Sequence, residues 1–243
     1  MRFLSSAQFE RGAAPAALKI LCIAVLFVVA PAFAQSPSEA EIVRGIDAAV
    51  KTRVDHIAQY TDTEHYKVFR GSDETHPVAG MVVKTTYRPE LGKNYDILSE
   101  SGSGLILKFL LRPLLDTEKA INEPGKVSAS WIISANYDMR LQPGGPVTQD
   151  GRECWKLAIH PRQNAPNLID GTLWVDTNDD SIVRLEGLSS KNPSIWAGPA
   201  HVLRQYVKTA GFAEATHARA ETESAFGRTV VTIDYEGYQI QAR

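Results

Sequence analysis

Disulfide chemistry is the first thing this sequence lacks. Only Cys22 and Cys154 occur in 243 residues. Cys22 sits inside an N-terminal apolar run, so the remaining chain carries one thiol with no internal partner. That excludes a disulfide-stapled secreted module, and Cys154 reads as a half-buried, inert thiol. Charge of one sign is lacking too: 26 Lys and Arg stand against 28 Asp and Glu, a formal net charge of −2. Nucleic-acid binders carry a basic face, so no nucleic acid is expected as a partner. Metal-ligand spacing is missing as well. His56, His65, His76, His160, His201 and His217 form no H-x-x-x-H or H-E-x-x-H pair. Residues 176–181 start like a calcium loop, but Ser181 and Gly187 stand where the required Gly and Glu should be, so they read as a polar turn. Neither a metal nor a cofactor is expected.

Catalytic signatures fare no better. Ser101-Gly102-Ser103-Gly104 lacks the ending of a phosphate loop and the first Gly of a nucleophile elbow. Glu153, Asp170, Asp176 and Glu186 show no spacing that singles out a pair. Cys154 and His160 on one strand would stand about 20 Å apart, too far for proton transfer. A non-enzymatic role is therefore expected.

A second long apolar run is absent, and the first is not a membrane span. Arg2, Arg11 and Lys19 precede the apolar stretch 20–30, and Ala32-Phe33-Ala34 follows. That is a signal peptide with cleavage after Ala34; a membrane helix would need ~20 apolar residues. The expected organisation is a signal at 1–34 and a single domain at 35–243, exported, periplasmic and without a transmembrane span after processing.

What is present is periodicity. Ser38 and Glu41 make a capping box, and Ile42, Ile46, Val50, Val54 and Ile57 recur at helical spacing, predicting an amphipathic helix. After Tyr60 the period changes to two. Strands are expected at 60–70, 81–88, 95–97, 137–141, 155–160, 172–176, 182–186, 201–208, 216–225 and 229–240, with turns at 89–92, 143–146, 177–181 and Gly227-Arg228. Trp196 falls in a Pro- and Gly-containing loop. Between the strands lies 105–121, too rich in Leu for one narrow stripe and expected to kink at Pro113 or to form two short helices. Short connections exclude βαβ crossovers. The fold class read from this pattern is α+β with a large antiparallel sheet, which must curl; the Leu-rich helix would fill or lid its concave face.

At residues 171–187 the chain resembles the periplasmic lipoprotein-carrier superfamily, the LolA-like outer-membrane lipoprotein-sorting proteins and related envelope-stress sensors. The residues that carry the likeness are Gly171-Thr172-Leu173-Trp174-Val175-Asp176 and Ile182-Val183-Arg184-Leu185-Glu186-Gly187, preceded by 136–141 and 151–157 and closed by Ile233-Asp234-Tyr235 and Tyr238. The resemblance implies an unclosed antiparallel β half-barrel with helices plugging a concave apolar face. It also implies lipid or lipoprotein acyl chains as ligands, no cofactor, and a cavity arginine, for which Arg140 and Arg184 are the candidates. The expected ligand-binding residues are Trp131, Tyr137, Trp155, Leu157, Ile159, Leu173, Val183, Leu185 and Tyr235 on the sheet side, and Phe109, Leu110 and Leu114 on the lid. The expected role is a carrier or chaperone for an acyl chain, lipid or lipoprotein. The alternative is an envelope signalling or scaffold protein that binds a protein partner through the same sheet.

Overall fold

Ser38 opens the first helix. Its hydroxyl accepts from the Glu41 N–H at 3.3 Å and the Glu41 carboxylate accepts from the Ser38 N–H at 2.8 Å, the reciprocal cap that the spacing predicts. The computed structural model describes residues 36–165, 167–191, 199–225 and 227–243; the expected signal segment and Trp196 lie outside the described residues. Helix α1 (Glu39–His56) runs straight into β1 (Ile57–Arg70), and β2 (Ala79–Arg88) and β3 (Gly92–Gly102) complete a meander. A helical segment follows: α2 (Gly104–Ile106), a π-helical turn (Leu107–Leu111) and α3 (Arg112–Ile121). The remaining strands are β4 (Tyr137–Leu141), β5 (Val147–Gln149), β6 (Arg152–Pro161), β7 (Ile169–Asp176), β8 (Ile182–Ser189), β9 (His201–Thr209), β10 (Phe212–Ser224) and β11 (Gly227–Ala242).

All eleven strands join one antiparallel sheet in the order β3-β2-β1-β11-β10-β9-β8-β7-β6-β4, with β5 beside β6. The first strand pairs with the last, and β3 and β4 remain as separate edges, so the sheet is not closed. The expected unclosed half-barrel is therefore the observed fold.

Pairing register fixes which side chains share the concave face. One row crosses it from β2 to β4: Met81, Tyr66, Ile233, Ala218, Arg204, Leu185, Leu173, Leu157 and Leu141, each opposite the next. Every member but Arg204 is apolar. Two helical pieces cover this face. Helix α1 lays Ile42 and Ile46 on Tyr137, Trp155, Leu157, Ile159, Leu173 and Leu185 of the β4–β8 end. The segment 104–121 lays Leu107, Leu111 and Leu115 on Tyr66, Val68, Met81 and Val83 of the β1–β2 end. Burying such a Leu side chain contributes about 1.5–3 kcal/mol, so each end is a dry core in its own right.

Three local outcomes refine or differ from the sequence reading, each for a backbone reason. Pro113 stands where the segment divides into short helices, one of the two expected outcomes. It sits in the first turn of α3, where its missing N–H is no loss, and the preceding π-turn lets the Arg112 N–H bond the Leu107 carbonyl. Strand β3 continues through Ser101 and Gly102, because Gly102 takes φ +80° with the Val78 carbonyl packed where a Cβ would be. The β9–β10 hairpin turns at Ala210-Gly211, so β10 starts at Phe212, and Gly227 already belongs to β11, opposite Ser224.

Gly171 and Gly187 face each other on β7 and β8. A Cβ on either would come within 2.1 Å of a carbonyl oxygen of the opposite strand. Gly171→Ala and Gly187→Ala are expected to destabilise the protein by more than about 1 kcal/mol, read as a lower denaturant midpoint at unchanged m. Gly104→Ala, which meets nothing within 4 Å, is expected to leave the midpoint where it is or raise it.

Candidate functional site

Between the two dry cores the concave face is not filled. A cavity of about 640 Å³ remains, walled by α1, by the end of α3 and the segment 127–132, and by β9, β10 and β11. Its apolar lining includes Val50, Val54, Ile121, Trp131, Ile132, Ile182 and Phe212. Its polar lining includes Arg53, Tyr60, Tyr87, Lys93, Glu118, Arg204, Tyr206, Tyr235 and Tyr238. The expectation was an apolar cavity; the observed wall is apolar toward α1 and the 127–132 segment, and rich in tyrosine and cations on the sheet.

Charged groups in this wall are held in distinct ways. Arg53 of α1 grips Glu214 of β10 with two bonds, Nε to Oε1 at 3.0 Å and Nη2 to Oε2 at 2.6 Å. That bidentate pair pins the C-terminal end of α1 across the sheet, while Glu39 at the other end accepts from the Leu141 N–H at 2.8 Å. Lys208 pairs with Asp179 at the rim. Lys93 stands 3.9 Å from Glu64 Oε1, and that carboxylate already accepts from the hydroxyls of Tyr66 and Thr85. Burial works against the charge on Lys93, but Tyr60, Tyr95, Glu64 and Glu118 outweigh it and hold the ammonium protonated. Arg204 likewise keeps its charge against burial, helped by Tyr206, Glu118 and Tyr235. Tyr60 stacks on Tyr87 with ring centroids 5.1 Å apart and leans on Tyr238 at 5.9 Å, so an aromatic floor runs beside Lys93.

The sequence-predicted residues divide between wall and core. Trp131 and Tyr235 line the cavity. Tyr137, Trp155, Leu157, Ile159, Leu173 and Leu185 are packed in the core under α1, and Val183 is buried in a bulge of β8. Leu110 and Leu114 pack against the β1–β2 core, while Phe109 is 68% exposed on the outer side of its helix. Arg140 and Arg184 do not enter the cavity. They alternate with Leu141 and Leu185 of the concave row; Arg140, on the edge strand β4, meets Glu39 at the start of α1, and Arg184 meets Glu186 and the Trp174 ring on the convex face. The arginine of the concave face is Arg204. Cys154 is fully buried, not half-buried, and burial first of all pushes its thiol up to about 11, which removes it as a nucleophile. Residues 176–181 form the expected polar turn, with the Asn178 N–H on Asp176 Oδ1 at 2.8 Å and the Ser181 N–H on Asp179 Oδ1 at 3.0 Å. Sequence reasoning missed Lys93, Arg204 and Glu118 because each is one charged residue in an unremarked place; only the apolar row around Arg204, visible once register is known, marks it.

Asp62 lies beside this wall at 3% exposure, and its Oδ1 has no hydrogen-bond partner among the described residues. Burial, then the charge of Glu64, push its carboxyl up to about 7, with Lys93 pulling the other way and Glu214 adding to the rise. An unfolded Asp titrates near 3.9. Between about pH 4 and pH 7 the unfolded chain releases this proton while the folded chain keeps it, so stability falls as pH rises through that window. Asp62→Asn is expected to be more stable than the parent above pH 7, by roughly 2–4 kcal/mol, and to lose that advantage at pH 4. Thermal unfolding of both proteins at pH 4, 6 and 8 measures it, and an unchanged gap across the three would contradict it.

No family model matches the chain, and no curated protein matches it. Among the described residues no helix is long and apolar enough to cross a membrane. Solved structures give distant likenesses. A DUF1329 family protein from Desulfovibrio piger is 15% identical over 82% of this chain and 93% of that one, with a TM-score of 0.40. The MucA/MucB complex of Pseudomonas aeruginosa contains a chain that is 10% identical over 83% of this chain and 99% of that one, at 0.26. A LolA superfamily protein from Nitrosomonas europaea is 11% identical over 85% of this chain and 94% of that one, at 0.45.

Proposed function

We propose that this protein is a non-enzymatic carrier that holds one acyl-bearing molecule, a lipid or the lipid part of a lipoprotein, in the cavity between its two cores. The observation that supports this reading best is the cavity itself. A sheet packed by two separate helical pieces leaves about 640 Å³ unfilled at its centre, within the ~300–1,000 Å³ range of sites that take a single small molecule. Trp131, Ile132, Ile121 and Val54 offer apolar surface there, and burial of an acyl tail against it would contribute about 25 cal/mol per Å² removed from water. The reading of 1–34 as a signal peptide supports a periplasmic carrier. Release would need the roof to move, and the roof that contains Glu118, Ile121 and the segment 127–132 is joined to the sheet by Ser103 at one end and by the residues before Tyr137 at the other.

A second reading has its own support. Ile97 and Leu98 of the edge strand β3 are exposed, as are Leu105 and Phe109 in the segment that follows. An open edge with apolar side chains is a surface for strand addition by a protein partner, as an envelope scaffold or signalling protein would use.

The test is saturable uptake of an apolar fluorescent probe, followed through tryptophan. Trp131 lines the cavity, Trp155 is in the core and Trp174 lies between Lys156 and Arg184. Ligand is expected to change the emission of the parent and of Trp155→Phe and Trp174→Phe, and the change is expected to vanish in Trp131→Phe. Absence of any saturable change in the folded parent would remove the carrier reading and leave the edge-strand reading.

A further inference from the structure

Two cations of the cavity wall, Arg204 and Lys93, are not held by a carboxylate at hydrogen-bond distance among the described residues, whereas Arg53 is. Arg204 is the single charged member of the apolar row on the concave face, and among the described residues no carboxylate comes within 4 Å of it. Lys93, on the opposite side of the cavity, has one carboxylate within that distance, Glu64 at 3.9 Å, and Glu64 is engaged by Tyr66 and Thr85. Arg53 and Lys208 are answered by Glu214 and Asp179, and Asp180 packs against Gly45 of α1. What faces Lys93 and Arg204 from across the cavity is Glu118 of α3, which lines the same space, is felt by both cations and makes no ion pair within 4 Å among the described residues.

An uncharged tail filling this space would displace water from Arg204 and Lys93 and bring no new acceptor to either, so the desolvation of both ions goes uncompensated by the ligand. A ligand that brings its own anion returns that loss as charge-assisted hydrogen bonds, which are about twice as strong as neutral ones. Tyr60, Tyr206 and Tyr235 supply hydroxyls on the same wall. Resting on the carrier reading, we propose that the cavity is selective for an amphiphile with an anionic head, a carboxylate or a phosphate on an acyl chain, seated on Arg204 and Lys93, and that Glu118 holds the place of that head while the cavity is empty. Specificity of this kind comes from rejection: the uncharged analogue leaves polar groups unpaired. Entry of the head also puts a second anion beside Glu118, so like-charge repulsion works to lift α3 from the sheet.

The experiment compares a fluorescent polyene fatty acid with its methyl ester on the purified protein at pH 8, with lysophosphatidic acid and monoacylglycerol as competitors. The acid is expected to bind about tenfold or more tightly than the ester, and lysophosphatidic acid to compete better than monoacylglycerol. Whichever of fatty acid and lysophosphatidic acid displaces the probe at lower concentration assigns the head as carboxylate or phosphate. Arg204→Met and Lys93→Met are expected to weaken the acid and spare the ester, and Glu118→Gln to tighten the acid. Equal affinity of the parent for acid and ester, or a preference for the ester, overturns the charge selectivity and leaves the carrier reading standing. Failure of both probes to bind overturns the two together. The parent comparison needs no variant, so a substitution that fails to fold does not blunt the test.

Discussion

Pairing of β1 with β11 is the constraint on which the rest of this molecule depends. It joins the β1–β3 meander, with the helical segment that packs on it, to the long run of strands from β4 to β11 under α1. Each of those parts buries its own apolar residues against its own helix. A closed barrel would bring the cores together and fill the middle with side chains. An unclosed sheet of this length keeps them apart, and the middle of its concave face is left to polar and aromatic groups.

Much of the architecture can be read directly from local signals. The Ser38–Glu41 cap, the period-two runs and the 177–181 turn are set by neighbours within a few residues, and each is where its pattern puts it. The helical plug was legible as too apolar for one face, although Pro113 fell where a helix tolerates it. The site was much less legible. Alternation identifies the two faces of a strand but not which is inner, and bulges near Asp62, Val82, Ala215 and Val175 shift the parity along several strands. Trp155, Leu157 and Leu173, expected at the ligand, lie under α1, and that helix occupies the space a ligand would need. Lys93, Glu118 and Arg204 are far apart in sequence and none belongs to a motif. What unites them is register and the path of α3, which are long-range properties.

The polar middle has a thermodynamic cost that the two cores offset. Asp62 with an orphan oxygen, Lys93 with its one carboxylate 3.9 Å away, Arg204 in an apolar row and a buried Glu64 are each unfavourable relative to an apolar filling. Natural proteins sit a few kcal/mol above unfolding, so such groups persist where function uses them. A molecule optimised for stability alone would place an apolar side chain where Arg204 stands, as its neighbours Ala218 and Leu185 do.

The position of β11 in the chain has a bearing on how the protein comes to be folded. Emerging N-terminus first, the β1–β3 meander can form early, since its contacts are local, but the free edge of β1 stays open until residues 227–242 arrive to cover it. Long-range strand pairing is slow, and an uncovered edge templates association between chains. Synthesis that stalls before β11 therefore leaves a species whose exposed edge lies at what becomes the interior of the sheet, and it is the late strand, rather than the early helix, that closes the window for aggregation.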